Sequence, residues 1–183
     1  PLFNVTPRVQ HAFLQGLIQS DGYIVVGRTG RSPKAIVGYC TVSPRLAGGL
    51  TLLYRQLGCL PLVVRGRSKT HMRNGVAFIS RRDRYDVALS TKNELRKMEV
   101  VWKTHKDAPR LRARLARVPK RPGRPGKQAV RLSPETLALK VTSVKPAKRK
   151  GAFVYDLVVP PHQTFVAGGG GLALHNTDGS HIR

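Results

Sequence analysis

Acidic residues are scarce in this chain: nine Asp and Glu stand against 33 Lys and Arg in 183 residues, a formal net charge of +24. A surplus that large repels itself unless a polyanion lies close. Phosphate backbones are the usual partner, through release of condensed counterions. Cysteine is nearly absent, with Cys40 and Cys59 alone. Two cysteines are too few for a disulfide framework, and without a C-x-x-C pair they offer no zinc site, so both read as reduced packing residues of an intracellular, cytoplasmic or nucleoid-associated protein. No apolar run approaches the ~20 residues of a membrane-spanning helix, and no basic amphipathic helix points to a membrane surface. No charged and apolar leader follows Pro1, so a secretory signal is not expected. The missing Met is what a fragment or a processed chain would show.

What is present is enough apolar material for a core, 40% of residues, arranged with readable periods. Val9, Ala12, Phe13, Leu14, Leu17 and Ile18 recur at helical spacing from about Arg8, and Asp21-Gly22 ends that run. Residues 23–26 and 35–42 read as two strands across a Gly- and Pro-containing turn. Ser43-Pro44 opens a second helix, carried by Leu46, Leu50, Leu53, Tyr54 and Leu57 and stopped by Gly58. Residues 60–64 and 76–80 read as a second strand pair, followed by a polar helix from about Arg84 to Lys103. The order is helix, two strands, helix, two strands, helix.

Composition then shifts. Between Lys103 and Lys150 sixteen Lys or Arg face two acids, Asp107 and Glu135, and residues 119–126 read PKRPGRPG. Such a stretch makes a basic linker or an arm that orders on DNA. Its Gly123-Arg124-Pro125 resembles the minor-groove-reading core of AT-hook peptides. Short strands are expected at 139–144, 153–159, 164–167 and 172–174, too few to close a core without partner strands from elsewhere.

The closing stretch, VYDLVVPPHQTFVA at 154–167 and LALHN at 172–176, with Thr177 after it, resembles the C-terminal splicing blocks of inteins. That resemblance implies the last strands of an all-β Hint fold and autocatalytic splicing. The Asn176 side-chain amide would attack its own carbonyl and cut the chain after itself, with His175 as the adjacent proton donor. Thr177 would supply the hydroxyl nucleophile of the preceding transesterification. Asp156 and His162 would assist the branching and cyclisation steps, although the block histidine of that family falls at the position of Gln163. No cofactor is implied for splicing, but an N-terminal segment carrying the missing nucleophile is.

Phe13-Leu14-Gln15-Gly16-Leu17-Ile18-Gln19-Ser20-Asp21-Gly22 resembles the dodecapeptide of LAGLIDADG homing endonucleases, with Gln15 and Gln19 where that family prefers Ala and Asp. The resemblance implies an α+β αββαββα half-domain whose strands form a saddle on double-stranded DNA. The 12–21 helix would pack closely on a partner copy, in a homodimer or a pseudo-dimer, with Gly16 allowing the approach. Asp21 would be a catalytic Mg²⁺ ligand. Finally, TDGSHIR at 177–183 resembles part of the metal motif of type IIA DNA topoisomerases of the gyrase B kind, which would make Asp178 a Mg²⁺-site residue of a host protein. The expected organisation is thus an endonuclease half-domain at 1–103, a basic linker at 104–138, the C-terminal part of a Hint domain at 139–176, and host sequence at 177–183. The two rivals are a stand-alone homodimeric endonuclease and a non-enzymatic basic DNA-binding protein.

Overall fold

A computed structural model describes residues 2–29, 32–67, 70–74, 76–79, 82–117, 129–133, 137–141, 143–144, 146, 164–167 and 172–175. The chain divides into two compact units, Pro1–Gly123 and Arg124–Arg183. The first begins with a 3-10 turn at Leu2–Asn4 and helix α1, Pro7–Asp21. Proline at the start of α1 costs nothing there, because the first turn has no use for its amide. Leu14 and Ile18 lie fully buried on one face of α1, as their four-residue spacing dictates. Strands β1 (Gly22–Thr29) and β2 (Ser32–Thr41) form an antiparallel hairpin in which Tyr23 faces Gly38 and Val25 faces Ile36.

Helix α2, Pro44–Gln56, has the expected cap: the Ser43 side chain accepts the Leu46 amide at 3.2 Å. Its end is set by Gly58 at φ +68, a left-handed position that favours glycine. The Lys97 ammonium donates to the Gly58 carbonyl at 3.2 Å, placing a cation where the helix carbonyls end.

The next region departs from expectation. Strand β3 (Leu62–Gly66) is followed by a separate hairpin of β4 (Thr70–Arg73) and β5 (Val76–Ile79), turning at Asn74 with φ 52. Asn is the residue that tolerates this backbone before a glycine in a tight hairpin turn. The partner of β3 is therefore not the 76–80 segment but Arg84–Leu89, which is strand β6 rather than the start of a helix. The physical reason is a period of two. Tyr85, Val87 and Leu89 turn inward, the latter two fully buried, while Arg84 and Asp86 point to the other face. The helix begins only after Thr91, whose side chain accepts the Glu94 amide. A Glu three residues after a Thr cap is the capping-box arrangement, and Glu94 also accepts the Leu60 amide at 2.6 Å. The expected single helix becomes α3 (Lys92–Lys97) and α4 (Glu99–Trp102), broken at Met98.

The four-stranded sheet has the order β1-β2-β6-β3, antiparallel throughout. The helices cover one face. Leu14, Ile18, Val37, Leu50, Leu53, Tyr54, Val87, Leu95, Met98 and Trp102 form a common core. Trp102 satisfies its indole N–H on the Leu95 carbonyl at 2.8 Å, as a buried indole must. A further helix, α5 (Ala108–Ala116), lies in the stretch expected to start the linker. It buries Leu111 and Leu115 in the same core and packs along β1. Four-residue leucine spacing overrides the basic composition there. No helix among the described residues is long and apolar enough to cross a membrane.

The second unit contains two antiparallel pairs, β7 (Ala129–Arg131) with β8 (Leu137–Leu139), and β9 (Thr164–Ala167) with β10 (Leu172–His175). The last two match the strands expected at 164–167 and 172–174. The strand expected over 139–144 stops at Leu139; Lys140 and Val141 are not in a strand. The AT-hook-like triplet and the 153–159 strand lie outside the described residues.

Candidate active site and nucleic-acid interface

Asp21 is the last residue of α1 and is exposed. Its position is fixed by its neighbours. Ile18, one turn earlier, is buried in the core, and β1 leaves the helix at once. A Cβ on Gly22 would stand 2.5 Å from the Ile18 Cα. Only glycine permits so abrupt a passage from helix to strand, and the passage sets the Asp21 carboxylate at the rim of the sheet.

Pairing defines what lies beside it. Directly opposed residues face the same side of a sheet, and Gly22 opposes Tyr39 while Cys40 opposes Asp86. Extending that register puts Asp21 in line with Cys40 and Asp86 on the face turned away from the core. Tyr23 lies across Gly38 on this outer face, its hydroxyl 2.6 Å from where a Gly38 Cβ would be. Tyr23 and Cys40 both lie close enough to the Asp86 carboxylate to be held by its charge, and Arg84 Nε lies 3.4 Å from it. Burial first, and the Asp86 charge second, push the Tyr23 hydroxyl up to about 12. The Cys40 thiol is raised by the same two causes in the same order. Both groups therefore remain protonated donors at neutral pH. Both cysteines are free thiols, as expected: Cys40 is half-buried on this outer face, and Cys59 is 3% exposed in the core.

Sequence reading missed Asp86, Tyr23 and Arg84 altogether. The missing signal was the alternation within Arg84–Leu89, which a helical reading of that segment hides.

An exposed carboxylate suits a hard divalent cation such as Mg²⁺, and Asp21 supplies one. Asp86 is already paired with Arg84. Among the described residues no group of three or more His, Cys, Asp and Glu is placed to hold a metal ion.

The outward side of α1 carries exposed apolar residues. Val9 is 48% and Phe13 38% exposed, and a Cβ on Gly16 would meet nothing within 4 Å. Helical spacing sets these residues in one apolar stripe. Of the other residues expected to act, His175 ends β10 with its backbone opposite Thr164. Asp156, His162, Gln163, Asn176, Thr177 and Asp178 lie outside the described residues.

A helix that ends in an exposed acid at the rim of an antiparallel sheet, on a strongly basic chain, belongs to an α+β domain. Residues 8–97 match the model of the LAGLIDADG-like domain. The chain is also similar to a solved structure titled as the crystal structure of a homing endonuclease, I-TnaI, at 18% identity over 58% of this chain and 71% of that one, with a TM-score of 0.38. No curated protein matches the chain.

Proposed function

We propose that the first unit is a DNA endonuclease half-domain that cleaves double-stranded DNA when two α1 helices pair. The observation that carries this reading is the pairing of two features on one helix. Asp21 sits at its end, and an apolar stripe with an open glycine runs along its outward side. Apposing two such helices sets two carboxylates side by side at the centre of a joint outer face. The bound Mg²⁺ would lower the pKa of a water molecule and polarise the scissile phosphodiester. Asp21 would hold the ion, and basic groups such as Arg84 would hold the phosphates. Asp21→Asn is expected to abolish Mg²⁺-dependent cleavage of a randomised duplex pool while leaving salt-dependent DNA binding in place. Undiminished cleavage by that variant removes Asp21 from the chemistry.

For the second unit we propose the C-terminal segment of a protein-splicing domain, with Thr177 to Arg183 the start of a topoisomerase-type host. Support comes from the β9–β10 hairpin, which ends in His175 immediately before Asn176, and from apolar side chains that lack cover, Val141 at 73% and Val144 at 87% exposed. Such residues suit a segment completed by strands from an upstream piece. In this reading Asn176 cyclises with help from His175, Asp156 and His162, after Thr177 has taken over the upstream chain. Asp178 then returns to the metal motif of the joined host. A stand-alone endonuclease accounts for the first unit equally well. Mass measurement after mixing with the upstream segment separates the two: loss of residues 177–183, blocked by Asn176→Ala, is expected for splicing chemistry, and an intact mass in both variants leaves the stand-alone enzyme.

A further inference from the structure

Helix α5, Ala108–Ala116, has two unlike sides. Ala108, Leu111 and Leu115 are buried in the core. On the opposite side Arg110, Arg114 and Arg117 follow at intervals of four and three residues, the spacing that aligns side chains in one row along a helix. Arg117 caps α5, but its backbone is still helical and continues the row. Arg110 and Arg117 are exposed and Arg114 half-buried. The helix itself is well fastened. The Arg96 guanidinium donates to the Leu115 carbonyl at 2.7 Å, and Arg110 reaches the Val26 carbonyl of β1 at 3.5 Å. What the row lacks is counter-charge. The acids just before it are engaged elsewhere: Glu99 accepts from Arg112 Nε at 2.8 Å, and the Asp107 carboxylate lies 3.8 Å from His105 Nδ1. Among the described residues no ion pair takes Arg110, Arg114 or Arg117. Past the row the sequence adds Lys120, Arg121, Arg124 and Lys127, with no acid before Glu135.

Like charges at such intervals oppose helix formation. The helix dipole offsets this for cations in the last turn, Arg114 and Arg117, but not for Arg110. A row held against its own repulsion, with no acid beside it, is matched to an external line of negative charge. A membrane surface does not fit, because α5 turns its leucines into the core and carries no large apolar residue outward to insert. A duplex does fit. It carries one charge per about 1.7 Å of axis. The row spans seven residues, roughly 10 Å at about 1.5 Å each, so several phosphates lie within its length at any register. We propose that Arg110, Arg114 and Arg117 form a second DNA contact, separate from the Asp21-bearing rim of the sheet, which holds the phosphate backbone without regard to base sequence. The proposal rests on the DNA-binding reading above and names a surface that reading leaves unassigned.

The test uses the full chain without Mg²⁺, a labelled duplex of random sequence, and anisotropy titrations between about 50 and 200 mM salt. Each phosphate contact adds about 0.9 to the slope with which log affinity falls against log salt. The double variant Arg114→Gln, Arg117→Gln alters side chains that make no hydrogen bond or ion pair among the described residues. It is expected to lower the slope by roughly 1.8, and adding Arg110→Gln by about 0.9 more. The matching Lys variants keep the charge and are expected to keep the slope. An unchanged slope in the Gln variants overturns the proposal while leaving DNA binding intact. So does a slope lost equally in the Lys variants, which would mean that the arginines act through the fold. If the Gln variants bind DNA as before but no longer bind phosphatidylserine vesicles that the unaltered chain holds, the row is a membrane contact and the proposal falls. Affinity of the unaltered chain that does not change with salt overturns the DNA-binding reading itself.

Discussion

Gly16→Leu separates what α1 does within one chain from what it does between two. In the isolated domain, position 16 is exposed and a Cβ there meets nothing within 4 Å. The substitution should therefore stabilise the fold. Leucine exceeds glycine in helix propensity by nearly 1 kcal/mol, which in a chain of this size raises Tm by roughly 2–4 °C. Between two helices the effect reverses. Close crossing needs backbone contact at Gly16, and a leucine on each helix costs about 1–3 kcal/mol of overpacking, counted twice in a symmetric pair. A total of at least ~2 kcal/mol weakens association roughly 30-fold or more. Thermal melting at low concentration, sedimentation equilibrium and Mg²⁺-dependent cleavage, measured on the same variant, should show a higher Tm with a lost dimer and lost cleavage. A lowered Tm would mean that Gly16 is packed within its own chain. An undisturbed dimer with full cleavage would refute pairing through this face.

Two further outcomes follow from the outer-face cluster. Gly38→Val should lower stability by about 1–3 kcal/mol, because its Cβ would fall 2.6–2.8 Å from the Tyr23 hydroxyl oxygen, the ring Cζ and the Ala88 Cβ; thermal melting checks it, and an unchanged Tm would show that Tyr23 moves aside freely. Because the folded state holds the Tyr23 hydroxyl at about 12 against an ordinary 10.0, folding favours its neutral form. The stability this contributes is complete below pH 10 and is lost as pH rises from there to about 12. Denaturant melts across that window should decline less steeply in Tyr23→Phe, and ultraviolet titration should lose one late-ionising tyrosine; identical profiles would detach Tyr23 from Asp86.

The helices that position the candidate site were legible because their signals are local. Pro7, the Leu14 and Ile18 spacing and the Asp21-Gly22 stop delimit α1, and Ser43-Pro44 and Gly58 delimit α2. The same run of residues offered Asp21 and Gly16 by resemblance, and the β1–β2 hairpin was visible in its apolar runs. Arg84–Leu89 was misjudged because six residues containing an arginine and an aspartate fit a polar helix about as well as an alternating strand. Only pairing with β2 on one side and β3 on the other decides between them.

Composition alone pointed to a polyanionic partner, since 33 cationic and nine anionic side chains leave a net charge of +24 in any fold. Short-range periodicity determined where its first two helices run. Tertiary structure decided the rest of the site. It brought Asp86, 65 positions after Asp21, onto the same outer face beside Cys40 and Tyr23, turned Leu62 and Val64 outward, and drew Leu111 and Leu115 into the core from a stretch that reads as linker. The physical reason is that strand register and sheet face are long-range properties: a shift of one residue inverts which side chains meet, and nothing within either strand specifies the partner.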